Sequence, residues 1–165
     1  MENSDQLTQV TLFNTLVLPH IDYCSTVWGS SICKSDLLRL QRIQNSAMRI
    51  ILECHYQTHI NDLLKTLKWL NVEHRLRYNL CCQMWKIVHK QAPQYLDCTV
   101  EEVTNIHQHN TRAASRNDMY VTHGHKNSLK VNGTKAWNSL PPETRECKNY
   151  KMFKKLVVGQ LRLDS

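Results

Sequence analysis

The sequence predicts a mainly α-helical fold: a helical bundle-like domain with a small β-hairpin near 119–131 and an amphipathic helix at the C-terminus. Three observations carry this. Four glycines and four prolines in 165 residues leave little material for the many turns of an all-β fold. Apolar residues recur at three- and four-residue intervals over long segments. The chain is 41% apolar and 21% charged, enough for a real core at a length where folding buries roughly 70% of the extended surface. We divide the chain into a helical domain over 4–96, a loop or linker over 97–118, and a hairpin plus terminal helix over 119–165, packed on the first part.

The first helix is expected over 4–18, with Ser4 as N-cap and Leu7, Val10, Phe13, Leu16 and Val17 at helical spacing. Pro19 interrupts it, and a second helical stretch runs from about His20 to Trp28, ended by Gly29. Ser35 and Asp36 open the strongest helix, whose apolar stripe is Leu37, Leu40, Ile43, Ala47, Ile50 and Ile51. A short helix follows over 60–68. A longer one over 72–91 turns Val72, Leu76, Leu80, Met84 and Ile87 inward. Its polar stripe is Arg75, Asn79, Cys82, Lys86 and His89. Arg77 falls among the apolar positions and must be paired or at the rim, because an unpaired buried charge is costly. Residues 97–118 lack periodicity. Met119 to Val121 and Ser128 to Val131 are strand-like runs around Gly124. Gly133 to Asn138 gives one helical turn, which Pro141 and Pro142 end. The last helix covers 149–163, with Phe153, Leu156, Val157 and Leu161 on its apolar face. Tyr23, Trp28, Leu40, Trp137 and Leu140 are expected as core anchors.

Several function classes are set aside by composition. No apolar run approaches the roughly 18 residues of a membrane-spanning helix, so no membrane partner is expected. Glu2 and Asp5 stand where a secretion signal carries Lys or Arg, which points to an intracellular protein of the nucleus or cytoplasm. The seven cysteines are irregularly spaced and include no C-x-x-C pair, so they read as reduced and mostly buried thiols. Cys54, His55 and His59, His107 and His109, and His123 and His125 are separate groups that do not supply the four ligands of a structural zinc site. They read as surface or capping histidines, with no metal or other cofactor. Phosphate loops, nucleophile elbows and zinc helices are missing. The lone acidic pair, Glu101 and Glu102, does not form the clustered carboxylates of two-metal chemistry. The chain reads as a non-enzyme.

Charge is the informative feature. The net charge is +7 and the sequence pI near 9.1. It is uneven: residues 1–36 carry −3, residues 37–100 carry +5 and residues 101–165 carry +5. Basic residues line three helices at one-turn spacing: Arg39, Arg42 and Arg49; Arg75 and Lys86; Lys151, Lys155 and Arg162. Arg112 and Arg116 lie in the intervening loop. Such ridges follow a phosphate backbone if the fold brings them to one surface. Aromatics suited to base stacking are few, so sequence-specific readout is not expected.

Six segments in order add a resemblance. T-L-V-L-P-H-I-D-Y-C-S-T-V-W-G (15–29) precedes L-L-R-L-Q-R-I-Q-N-S-A-M-R-I-I (37–51) and H-I-N-D-L-L-K-T-L-K-W-L-N-V-E-H-R (59–75). Thr111-Arg112 and K-A-W-N-S-L-P-P-E-T-R (135–145) follow, with Phe153-Lys154 beyond. The ordered set, from about residue 7 to 162, resembles the thumb-side and C-terminal region of LINE-type, jockey-like reverse transcriptases of non-long-terminal-repeat retrotransposons. The resemblance implies a supporting role: a helical, non-catalytic part that helps to hold RNA template and DNA primer. In that family magnesium is held by palm aspartates in a [YF]-x-D-D motif, which this sequence lacks, so RNA-directed DNA polymerase activity is not carried over. The implied partners are RNA, an RNA–DNA hybrid or a DNA backbone, together with the missing polymerase domains. A protein-interaction module, or a decayed fragment without activity, is the alternative.

Overall fold

Helical spacing at the N-terminus produces a helix longer than the periodicity predicts, and its pitch changes midway. In the computed structural model of the chain, which describes residues 4–101, 103, 116 and 118–163, α1 (Ser4–Leu12) continues through a π-helical turn (Phe13–Val17) into α2 (Leu18–Asp22). Pro19 has no N–H to donate and its ring crowds the turn before it, so regular i to i−4 bonding cannot pass. The wide turn takes up the mismatch. The helix ends at Tyr23 and Cys24, the latter left-handed at φ 49°. A single turn, α3 (Ser25–Trp28), then runs up to Gly29. Tyr23 is 77% exposed and is not the core anchor the sequence suggested. What holds this corner is its carbonyl, which accepts a hydrogen bond from Trp28 Nε1 at 2.7 Å.

The strongest sequence helix forms as α4 (Lys34–Ile51), but its buried face is rotated from the expected stripe. Gln44, Met48 and Ile51 are buried, whereas Ile43 and Ile50 are 52% and 67% exposed. The reason is polar. Gln44 Nε2 donates to the Leu70 carbonyl at 2.8 Å, and Gln41 Oε1 accepts from the Val72 N–H at 2.8 Å. Gln41 Nε2 in turn reaches Gln44 Oε1 and Asn45 Oδ1. Two glutamine amides thus satisfy backbone groups of the connection beside the helix, which would otherwise be buried without partners. The short helix forms as α5 (Ile60–Leu67), N-capped by His59 and closed by Lys68 in the left-handed region at φ 56°.

The long helix, α6 (Val72–Val88), starts at Asn71, whose side chain accepts from the His74 N–H at 2.7 Å. It is the centre of the molecule. Cys81, Met84, Trp85 and Ile87 are buried in a cluster with Met119, Trp137, Leu140, Phe153, Val157 and Leu161, so residues 119–163 share one core with the helices before them. Val72 and Leu76 meet Ile21 in a second cluster; Met48, Leu63 and Leu64 form a third. Arg77 sits at the rim and donates to Ser139 Oγ at 2.9 Å.

The region after α6 departs furthest from expectation. A 3-10 turn (Gln94–Thr99) follows, and most of the expected 97–118 linker lies outside the described residues. The expected 119–131 hairpin does not form. Segment 118–120 bridges to Glu101 and Val103 instead, through Tyr120 N–H to the Glu101 carbonyl (2.7 Å) and Val103 N–H to the Asp118 carbonyl (3.2 Å). Its other edge is met by a side chain: Asn138 Oδ1 accepts from Met119 N–H at 2.8 Å and Asn138 Nδ2 donates to the Met119 carbonyl at 2.7 Å. One amide replaces a strand. Ser128, expected to open a strand, is the N-cap of α7 (Leu129–Asn138), accepting from Val131 N–H. This helix is longer than the single turn predicted, and it packs on α6. One turn, α8 (Pro142–Arg145), and the terminal α9 (Tyr150–Leu163) complete the chain. Phe153, Val157 and Leu161 are buried as expected; Leu156 is 37% exposed at the rim. Trp137 and Leu140 are core residues, and the buried Arg145–Asp118 pair (2.9 Å) ties α8 to the bridge.

Candidate functional site

The structure sorts the basic residues by what they already hold. Arg75 is committed within the fold: its Nε and Nη2 grip both oxygens of Asp22 at 2.7 and 2.5 Å. Asn79 Nδ2 adds bonds to the same carboxylate and to Ser25 Oγ. Burial pushes the Asp22 carboxyl upward, but hydrogen bonds from Arg75 and Asn79 and the Arg75 charge outweigh it, leaving the group below its ordinary value. Arg39 pairs with Asp36 at 3.2 Å, and Arg116 with Asp118 at 3.1 Å. Arg49 is half-buried with its guanidinium 5.0 Å from the Tyr56 ring centre. Arg162 donates to the Lys68 carbonyl. Arg112 lies outside the described residues.

Five of the ten sequence candidates remain without an ion pair or hydrogen bond to a carboxylate or carbonyl among the described residues: Arg42, Arg49, Lys86, Lys151 and Lys155. Packing joins three of them. Lys86 is on α6 and Lys151 and Lys155 are on α9, and these two helices pack together. Arg42 and Arg49 stand on α4, which packs on α1, α5 and α6. Of the three ridges, only those of α6 and α9 thus stand on directly packed helices, where their lysines form one basic set.

Lys154 was not among the sequence candidates, and it joins this set. Its Nζ lies 4.5 Å from the Tyr150 ring centre, and Lys86 Nζ lies 5.7 Å from the same centre. The ring's π-system attracts both cations. The Cys82 thiol and the phenols of Tyr78 and Tyr150 lie close to them. Burial, ahead of mutual interaction, pushes the Tyr150 hydroxyl up to about 12 and raises Tyr78 further; it raises Cys82 as well. All three therefore stay protonated at neutral pH. The expected polar stripe of α6 was right for Lys86 and wrong for Cys82, which is buried. The signal was present: Tyr78, Cys82 and Lys86 recur at four-residue steps on one helix, and Tyr150 and Lys154 on the other.

The thiols and imidazoles have other occupations. All seven cysteines are free; Cys81 and Cys82 are buried, while Cys24, Cys33 and Cys98 are exposed, correcting the expectation of mostly buried thiols. His55, His59 and His125 each accept a backbone N–H two residues on through Nδ1. His107 and His109 lie outside the described residues, and no group of three His, Cys, Asp or Glu side chains gathers among those described. No described helix is long and apolar enough to cross a membrane. No protein-family model, no curated protein and no solved structure matches the chain.

Proposed function

We propose that the chain binds nucleic acid without catalysing a reaction on it, through the basic face along α6 and α9. We further propose that it is a supporting, thumb-side fragment of a LINE-type reverse transcriptase. The observation that carries the reading is the set Lys86, Lys151, Lys154 and Lys155: four cations on two packed helices, none with a carboxylate partner among the described residues. Cations that are not spent within the fold release counterions when they meet phosphates. Contacts of this kind position a backbone and do not read bases. RNA, an RNA–DNA hybrid or DNA is therefore the expected partner, with little preference among sequences.

The test is a salt titration of a labelled RNA–DNA hybrid and of duplex DNA, followed by anisotropy. Four phosphate contacts give a log–log slope of about −3.6 on duplex and about −2.8 on a single strand. No binding at low salt by protein with an intact melting transition overturns the reading. A second reading, a protein-interaction module, rests on the exposure of Leu7, Leu12 and Leu16 before Pro19 and of Leu38, Ile43 and Ile50 on α4. It predicts binding that is insensitive to salt and unaffected by removal of the α9 lysines.

A further inference from the structure

The seam between α6 and α9 also borders an open cleft. It has a volume of about 320 Å³ and reaches across to α3, which puts it at the small end of ligand-sized sites. Lys86, Lys154, Tyr150, Tyr78 and Gln83 line it, with Thr26 at the α3 edge. Three properties suit it to an anion. Its two ammonium groups are held at one ring and have no carboxylate partner among the described residues. Its one carboxylate, Asp22, is already neutralised by the two-pronged bond from Arg75. Its floor consists of a thiol and two phenols that remain protonated and so place no negative charge against an incoming group. The exposed lysines 151 and 155 lie within one turn of Lys154 on the same helix. A phosphate seated in the cleft would therefore have further cations along its chain, which favours a polymer over a free ion.

We infer that the cleft between Lys86, Lys154 and Tyr150 seats one phosphodiester group of a nucleic-acid backbone, with both ammonium groups in contact and the lysines of α9 following the neighbouring phosphates. This rests on the nucleic-acid reading above and names the point where the strand is gripped. Exposed lysines contribute through charge alone; the cleft adds a fixed position.

The experiment uses the full chain and the labelled RNA–DNA hybrid at several salt concentrations. Replacing both cleft lysines (Lys86→Gln with Lys154→Gln) should lower the slope by about two units. Lys86→Arg with Lys154→Arg should restore most of it. The charge-matched pair Lys34→Gln with Lys126→Gln, both exposed and on neither helix of the seam, should change the slope by less than about half a unit. Gln83→Glu is the variant least able to disturb folding, because it keeps shape and adds one negative charge at the cleft wall. It should weaken binding about fivefold at low salt. If wild type binds but the cleft variants behave like the charge-matched pair, the cleft inference is overturned and the nucleic-acid reading stands. If wild type does not bind, both fall. Inorganic phosphate at matched ionic strength should not displace the hybrid; displacement at millimolar concentration would mark a free-anion site and overturn the assignment to a polymer.

Discussion

Gly133 offers the sharpest test of how α6 and α7 fit together. It is buried in the middle of α7, where glycine is a poor helix former, so alanine would ordinarily stabilise by about 0.5–1 kcal/mol. Here a Cβ would stand 2.5 Å from Met84 Sδ, 3.2 Å from Met84 Cγ and 3.4 Å from Leu129 Cδ1. Met84 is flexible in principle, but it is only 1% exposed and packed among Trp85, Trp137 and Phe153 in the main core cluster, so it has nowhere to withdraw. Overpacking of this kind costs about 1–3 kcal/mol. The two ranges leave Gly133→Ala destabilised by about 1 kcal/mol at their centre, a fall in Tm of about 2–4 °C at this size. Urea unfolding followed by far-UV circular dichroism measures it, with the slope m unchanged. Met84→Ala alone should cost about 2–4 kcal/mol, and the double variant should cost about 1–2 kcal/mol less than the two singles combined, because the new methyl fills space the sulfur vacated. A stabilised Gly133→Ala, or singles that simply add, would refute the claim that glycine is required for this helix contact.

The remaining predictions concern charge and thiols. Because the Asp22 carboxyl is held below its ordinary value, its contribution to stability is present above about pH 4 and is lost as pH falls through the folded-state value. Asp22→Asn should therefore lower Tm at pH 7 and approach wild type as the pH is taken toward 3; a Tm difference independent of pH would show the Arg75 pair to be unimportant. Titration of native protein with an aromatic disulfide should modify Cys24, Cys33 and Cys98 first and Cys81 and Cys82 only on unfolding. Burial pushes the Cys81 thiol up to about 12, so little thiolate is available even at pH 9. Rapid labelling of Cys81 in folded protein would contradict the packing around α6.

Helices were legible wherever apolar spacing was long, as with α4, α5, α6 and α9, because burial of one stripe is what makes such a segment helical. Faces were less legible. On α4 the pattern Leu37, Leu40, Ile43, Ile50 ignored two glutamines whose amides are needed inward by Leu70 and Val72, and a backbone demand of that kind leaves no apolar signature. The strand reading of 128–131 failed because Ser128 has two local roles available to it, and the cap prevailed once Asn138 had supplied Met119 with both hydrogen bonds. The basic ridges were visible as spacing, but spacing does not show which arginine is already spent on Asp22, Asp36 or Asp118. Lys154 was overlooked because its importance comes from Tyr150 beneath it and Lys86 on another helix.

The wide turn before Pro19 has a consequence for chain length. In a regular helix Phe13 and Ile21, eight residues apart, would point about 80° away from each other. The π turn accommodates one extra residue, so the two behave as though seven apart and align to within about 20°. Both are buried, Phe13 stacked on Trp69 at 4.6 Å and Ile21 against Val72 and Leu76. The segment is thus asymmetric toward changes of length. Loss of one residue between 14 and 17 lets the turn relax into regular helix while both anchors keep their bearings. Gain of one residue leaves nowhere to store it and swings Phe13 out of register with Ile21. Length variation among chains that share this corner is expected to run in the direction of deletion.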